Sequence, residues 1–229
     1  MAEATGSVSS RNPALAYVVP FGVFLALLGI GPLLQPIGRW EAPLRVIILL
    51  AVLWAFSRDA LDLRVTHWAG SIAMGAGVFA VWIAPDVLIP GYRDHWIFQN
   101  AVMGRLHSSI PPDLLGDDMV LLLRCFRAII LVPIIEELFW RAWLMRWIIN
   151  PDFRLVKLGT YSVKAMWITA LLFASEHGPY WEVGLAAGLL YNWWMVRARS
   201  LGDCILAHVV TNGALSFYVM HTGKWEYWL

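Results

Sequence analysis

The stretch LVPIIEELFWRAWLMRW, residues 131–147, sets two adjacent carboxylates and an arginine inside one of the most apolar parts of the chain. Glu137 and Arg141 are four apart, so they share a helical face and can pair. Glu136 points about 100° away and is free for another task. Two further apolar stretches carry polar groups. FASEHGPYW carries His177 at the end of its helical span, four residues after Phe173 and just before the Gly178-Pro179 break, and LAHVVTNGAL places His208 and Asn212 four apart on one face. Singly, each has a plain structural reading: an ion pair on a helix extension, an interfacial histidine, or side-chain hydrogen bonds between helices. Together they bring Glu, two His and Asn to three apolar helices, where such residues face the interior and have partners. Glu and His suit proton transfer near neutral pH. One Glu with two His also matches a catalytic zinc set, which would make Glu136, His177 and His208 the ligands and leave a position for water. An Asn can donate to a developing oxyanion. The shared chemistry is activation of water for acyl-group hydrolysis.

The elements that must position these residues are membrane helices. Of 229 residues, 59% are hydrophobic and 14% charged, whereas soluble domains average about 45–50% and about 25%. The apolar excess falls in blocks near the roughly 20 residues that cross a bilayer. Seven spans are expected near 14–34, 43–56, 68–83, 118–149, 163–177, 183–196 and 204–220. The fourth exceeds bilayer length and is expected to tilt, kink at Pro133 or project from the membrane. Residues 92–118 mix aromatic, apolar and charged side chains without a clean spanning run; an eighth crossing would lie there. The fold class is therefore all-α, a polytopic bundle of seven to eight spans around a polar cavity. GSIAMGAG in the third span, and Gly184 with Gly188 in the sixth, permit close helix packing. Residues 1–13 read as a flexible tail, 14–229 as one integral-membrane domain with its motif-bearing core at about 119–220, and the first apolar block as a retained span.

Arg11, Arg58, Arg64, Arg146, Arg154, Lys157, Lys164, Arg197 and Arg199 lie on the side of the N-terminus. Arg39, Arg45, Arg93, Arg105 and Lys224 lie on the other. Nine against five places the N-terminus in the cytoplasm. Trp40, Trp68, Trp96, Trp181, Trp225 and Trp228 flank apolar blocks as an aromatic belt would. A net charge of +1 gives no argument for a nucleic-acid partner. Cys125 and Cys204 read as buried single thiols. Arg124 and Arg127 sit oddly in the apolar run before Pro133, able to snorkel or to pair with Asp117 or Asp118, and no chemistry is assigned to them. Tyr191 and Asn192 show no distinctive spacing.

EExxxR at Glu136-Glu137…Arg141, FxxxH at Phe173…His177 and HxxxN at His208…Asn212, in that order in apolar helices, resemble the CPBP intramembrane protease family. That family includes CAAX prenyl endopeptidases and bacteriocin-processing homologues. The resemblance implies a helical bundle around a water-accessible cavity and endopeptidase activity of metalloprotease or glutamate type. By carry-over, Glu136 and His177 activate the water, His208 and Asn212 stabilise the oxyanion, and Glu137 and Arg141 support the site. The opening ALAYVVPFGVFLALLGIGPLL resembles a compact bacterial subgroup that accompanies exosortase and PEP-CTERM sorting systems, which implies the bacterial inner membrane. The expected partners are the bilayer and a protein or peptide with a membrane-associated end. The competing class is a non-enzymatic transporter, immunity factor or scaffold that uses Glu and His as a proton relay or as helix contacts. Convergence of Glu136, His177 and His208 on one cavity separates the two.

Overall fold

A computed structural model describes residues 12–228, so all of the expected tail except Asn12 and Pro13 lies outside the described residues. Seven helices form the bundle: α1 (Leu15–Gly29), α2 (Glu41–Val52), α3 (Trp68–Leu88), α4 (residues 118–149), α5 (Val163–Ser175), α6 (Trp181–Ala198) and α7 (Leu201–Thr222). Three stretches are long and apolar enough to cross a bilayer: Gly31–Ser57, which contains α2, Trp68–Leu88 and Leu201–Thr222. α1 and α5 are shorter apolar helices. Among the described residues between α3 and α4, no helix exceeds three residues, so the eighth crossing is not formed there.

α4 is one continuous run of unequal pieces. Asp117 caps its start by accepting from the amides of Met119 and Val120. Two π-helical turns interrupt it, Arg127–Leu131 and Leu138–Leu144, and Glu136 and Glu137 lie between them. Such turns recur at functional sites because they re-aim the side chains that follow. Pro133 accounts for the first. The Val132 amide donates to Arg127 O, five residues back. In that register the next carbonyl, Ala128, needs an amide at 133, where proline has none. Asn212 Nδ2 of α7 donates to Ala128 O at 2.8 Å instead. α1 repeats the solution at Pro20, whose missing N–H would have met Ala16 O; the buried Ser57 hydroxyl donates there at 2.6 Å. Both proline gaps are thus closed from a second helix, as a buried carbonyl requires.

The small residues do what their spacing implies. Gly75 lies so close to α7 that a Cβ there would sit 2.3 Å from Ala207 O. Thr211 donates to Gly75 O at 2.9 Å across the same contact. Gly188 packs on Ala170 between α5 and α6.

The two ends of the bundle are tied separately. At one end the buried Asp203 accepts from the amides of Thr66 and His67 and from Ser71 Oγ, at 3.0, 2.7 and 2.9 Å, so a carboxylate of α7 caps the start of α3. At the other end the buried Arg93 bridges Asp86 and Glu182 at 2.9 and 2.8 Å and stacks on Tyr180. Burial disfavours the Arg93 cation, but Glu182 and Asp86 outweigh that and hold its pKa above the usual arginine value. Trp40, Trp68 and Trp96 are exposed, as belt residues would be. Trp228 is not: it is buried against a cavity, and Trp181 donates to Ile97 O.

Candidate active site

Glu136, His177, His208 and Asn212 line one cavity of about 230 Å³, together with Glu176 and the aromatic walls Phe24, Trp82, Tyr180 and Tyr191. Three helices supply these groups: α4, α7, and α5 with the turn that follows it. α1 and α3 complete the wall. The four residues assigned to chemistry from sequence therefore line one cavity.

Glu136 is buried, and its Oε2 has no hydrogen-bond partner among the described residues. A buried carboxylate oxygen without a partner is costly and calls for a functional reason. The cavity it lines supplies one.

Glu137 has a different environment. Its Oε1 accepts from Arg141 Nη1 at 3.1 Å, the pair expected from the i, i+4 spacing. The same oxygen also accepts from His208 Nδ1 at 2.8 Å. The direct partner of His208 is thus Glu137, which joins α4 to α7. A bond to a carboxylate requires the proton on Nδ1, which leaves Nε2 for the cavity. His177 is fixed in the same sense, with Nδ1 donating to Phe173 O at 2.7 Å. That bond explains the FxxxH spacing, because one helical turn brings the carbonyl under the ring. Gly184 leaves room for the ring: a Cβ there would lie 3.2 Å from His177 Cβ and Cγ. Asn212 spends one N–H on Ala128 O and keeps its second.

Arg141 is fully buried. Nε donates to Asn192 Oδ1 at 3.2 Å, and the guanidinium lies between the rings of Phe173 and Tyr191 at 4.7 and 5.2 Å. Asn192 in turn donates to Met166 O at 2.9 Å. Tyr191 stacks on His208 at 4.9 Å and donates to Thr211 at 2.7 Å. Tyr191 and Asn192 thus belong to the site's support, which their sequence did not announce. The available signal was weak: two polar side chains in the middle of an apolar helix. Glu176 Oε1 accepts from Trp140 Nε1 at 3.1 Å and also faces the cavity.

Among the described residues, no group of three or more His, Cys, Asp or Glu side chains is placed to hold a metal ion. Glu136, His177 and His208 share a cavity but are not grouped as a three-ligand set as they stand. Asp117, one of the partners open to Arg124 and Arg127, pairs with Arg39 at 3.2 Å.

Residues 118–214 match the family model described as Rce1-like, type II CAAX prenyl endopeptidase Rce1-like, and this stretch contains Glu136, Glu137, Arg141, His177, His208 and Asn212. The match agrees with the CPBP resemblance of the three motifs. No curated protein and no solved structure matches the chain.

Proposed function

We propose that this chain, with its Rce1-like endopeptidase domain over residues 118–214, is an intramembrane endopeptidase of glutamate type. It would cleave a peptide bond of a protein or peptide whose end is membrane-associated. The observation that carries the reading is the convergence of Glu136, His177, His208 and Asn212 on one cavity. A proton relay would spread its groups across the membrane; a hydrolase needs them around one point.

In the proposed reaction the Glu136 carboxylate takes a proton from a water that hydrogen-bonds to His177 Nε2. The resulting hydroxide attacks the scissile carbonyl carbon, and the carbonyl π pair moves onto oxygen. His208, protonated at Nε2 and balanced by Glu137 at Nδ1, donates to that oxyanion with the second N–H of Asn212. Glu136 then returns its proton to the leaving nitrogen as the C–N bond breaks. Preorganised donors of this kind are each worth roughly 10²–10³ in rate, and a positioned acid–base roughly 10²–10⁴.

The finer parts of the proposal are a cytoplasmic N-terminus from the nine-to-five charge balance, a bacterial inner membrane, and a substrate that belongs to an exosortase-type sorting system. The test is a comparison of membrane proteomes from cells carrying the wild type and Glu136→Gln. A protein that retains its uncut end only in the variant supports the reading. Identical termini in both would refute it.

A further inference from the structure

The catalytic cavity belongs to one half of the bundle. α1, α3, α4 and α5 line it with the parts nearest segment 89–117: Phe24 to Leu28, Trp82, Arg124 to Glu136, and the last turn before His177. Tyr191 and His208 come from near the middle of α6 and α7. Towards segment 89–117 a second cavity of about 390 Å³ adjoins the first and shares Leu28, Arg124, Arg127 and Glu176 with it. Its remaining walls come from residues 31–45, 107–114 and the start of α4. Gln35, Arg39, His107 and Ser109 among them are exposed, so this cavity reaches the surface.

The opposite end is closed. Neither cavity takes a lining residue from 58–68, 144–166 or 193–204. Arg141, Asn192 and Met195 are fully buried between the site and that end. The backbones there are in contact: a Cβ on Gly202 would lie 2.3 Å from Arg64 O, and one on Gly159 would lie 2.5 Å from Met195 O. Asp203 fastens α7 to the start of α3 across the same region.

The two ends also differ in charge. Segments 53–67, 146–164 and 197–200, at the closed end, carry eight Lys and Arg residues. The open end carries five, Arg39, Arg45, Arg93, Arg105 and Lys224, apart from Arg124 and Arg127 within α4. An excess of Lys and Arg in short loops is held on the cytoplasmic side during insertion. The closed end is then cytoplasmic.

We infer that the second cavity is the mouth of the active site and opens on the extracytoplasmic face, so that the bond cut lies in a part of the substrate already carried across the membrane. A membrane-anchored polypeptide whose flank emerges on that face fits the mouth. A chain end held in the cytoplasm meets only the closed end. The substrate class rests on the hydrolase reading; the side of the mouth does not.

The test labels the full-length protein in spheroplasts with sulfonatoethyl methanethiosulfonate, a charged thiol reagent that does not cross the bilayer. The parent carries Cys125→Ser, and the buried Cys204 stays as the blank. Ser109→Cys, Ser216→Cys and Lys157→Cys are placed in it singly. Ser109 lines the mouth, Ser216 lines the catalytic cavity, and Lys157 is exposed at the closed end. Exchange of serine for cysteine alters one atom, and unfolding midpoints check that each variant is folded. The mass of the purified protein reads the adduct. The expected result is that Ser109→Cys and Ser216→Cys gain it in intact spheroplasts, whereas Lys157→Cys gains it only after lysis. Labelling of Ser109→Cys and Ser216→Cys only after lysis overturns the inference, because the mouth then faces the cytoplasm. Labelling of Lys157→Cys in intact spheroplasts overturns it as well. So does a folded Ser216→Cys that stays unlabelled in intact spheroplasts while Ser109→Cys is labelled, because the mouth then does not lead to the catalytic cavity. The hydrolase reading fails separately, if Glu136→Gln membranes process substrate normally while the labelling pattern stands.

Discussion

Glu136 and Glu137 are adjacent in sequence and different in environment. Helical geometry turns one towards an apolar-walled cavity and the other towards Arg141 and His208. Substitution should separate them. Glu137→Gln keeps the shape but removes the charge that balances Arg141 and His208. It is expected to lower thermal stability by about 3–5 kcal/mol, since it leaves a buried cation uncompensated. Some processing should survive at low temperature. Arg141→Lys should also destabilise, because lysine cannot reproduce the Asn192 bond and the stacking on Phe173 and Tyr191. Chemical denaturation of the purified variants reads both effects; wild-type midpoints would contradict the network. At this scale much was legible. The i, i+4 spacing gave the Glu137–Arg141 pair, and three motifs named the cavity groups. The His208–Glu137 bond was not legible, because it joins residues 71 apart through the packing of two helices.

Each helix shows how local chemistry aims a side chain. Pro133 forces a π turn, and the carbonyl it frees orients the Asn212 amide. Pro133→Ala restores an amide able to reach Ala128 O. It is expected to leave stability intact or improved while processing falls about tenfold, because Asn212 loses its clamp. Asn212→Ala should lose both, with about 1–2 kcal/mol of stability going with the buried hydrogen bond. A processing assay paired with thermal unfolding separates the two variants; equal losses in both readouts would contradict the clamp. Gly184→Val tests the same principle for His177. Its side chain would push the ring from its Phe173 bond and reduce processing by about 10²-fold, whereas unchanged activity would show that the ring position is not critical. A kink at Pro133 was one of three readings the sequence left open, and the π register and its satisfaction by Asn212 depend on α7 lying alongside.

For the whole molecule, seven helices alternate between two ends that are tied by different devices, Asp203 at one and Arg93 at the other. Loops 62–67 and 199–203 share an end, and the turn at Pro179, the segment 89–117 and Trp228 share the opposite one. The proposed cytoplasmic N-terminus predicts that a cysteine placed near Thr66 is labelled by an impermeant reagent only after the cells are opened. Labelling of intact cells would invert the topology. Composition and block length were enough to place seven helices. They could not show that segment 89–117 lacks a spanning helix, because its apolar residues carry no period and settle by tertiary contact, as in the Ser109–Trp228 backbone bond.

The most direct measurement of the central claim is the cleavage rate of an isolated substrate by purified Glu136→Gln beside the wild type, with unfolding midpoints recorded for both. We predict a rate lower by about 10³-fold or more at an undiminished midpoint. A folded Glu136→Gln enzyme that cleaves within about tenfold of the wild type would contradict the assignment of Glu136 as the group that activates water.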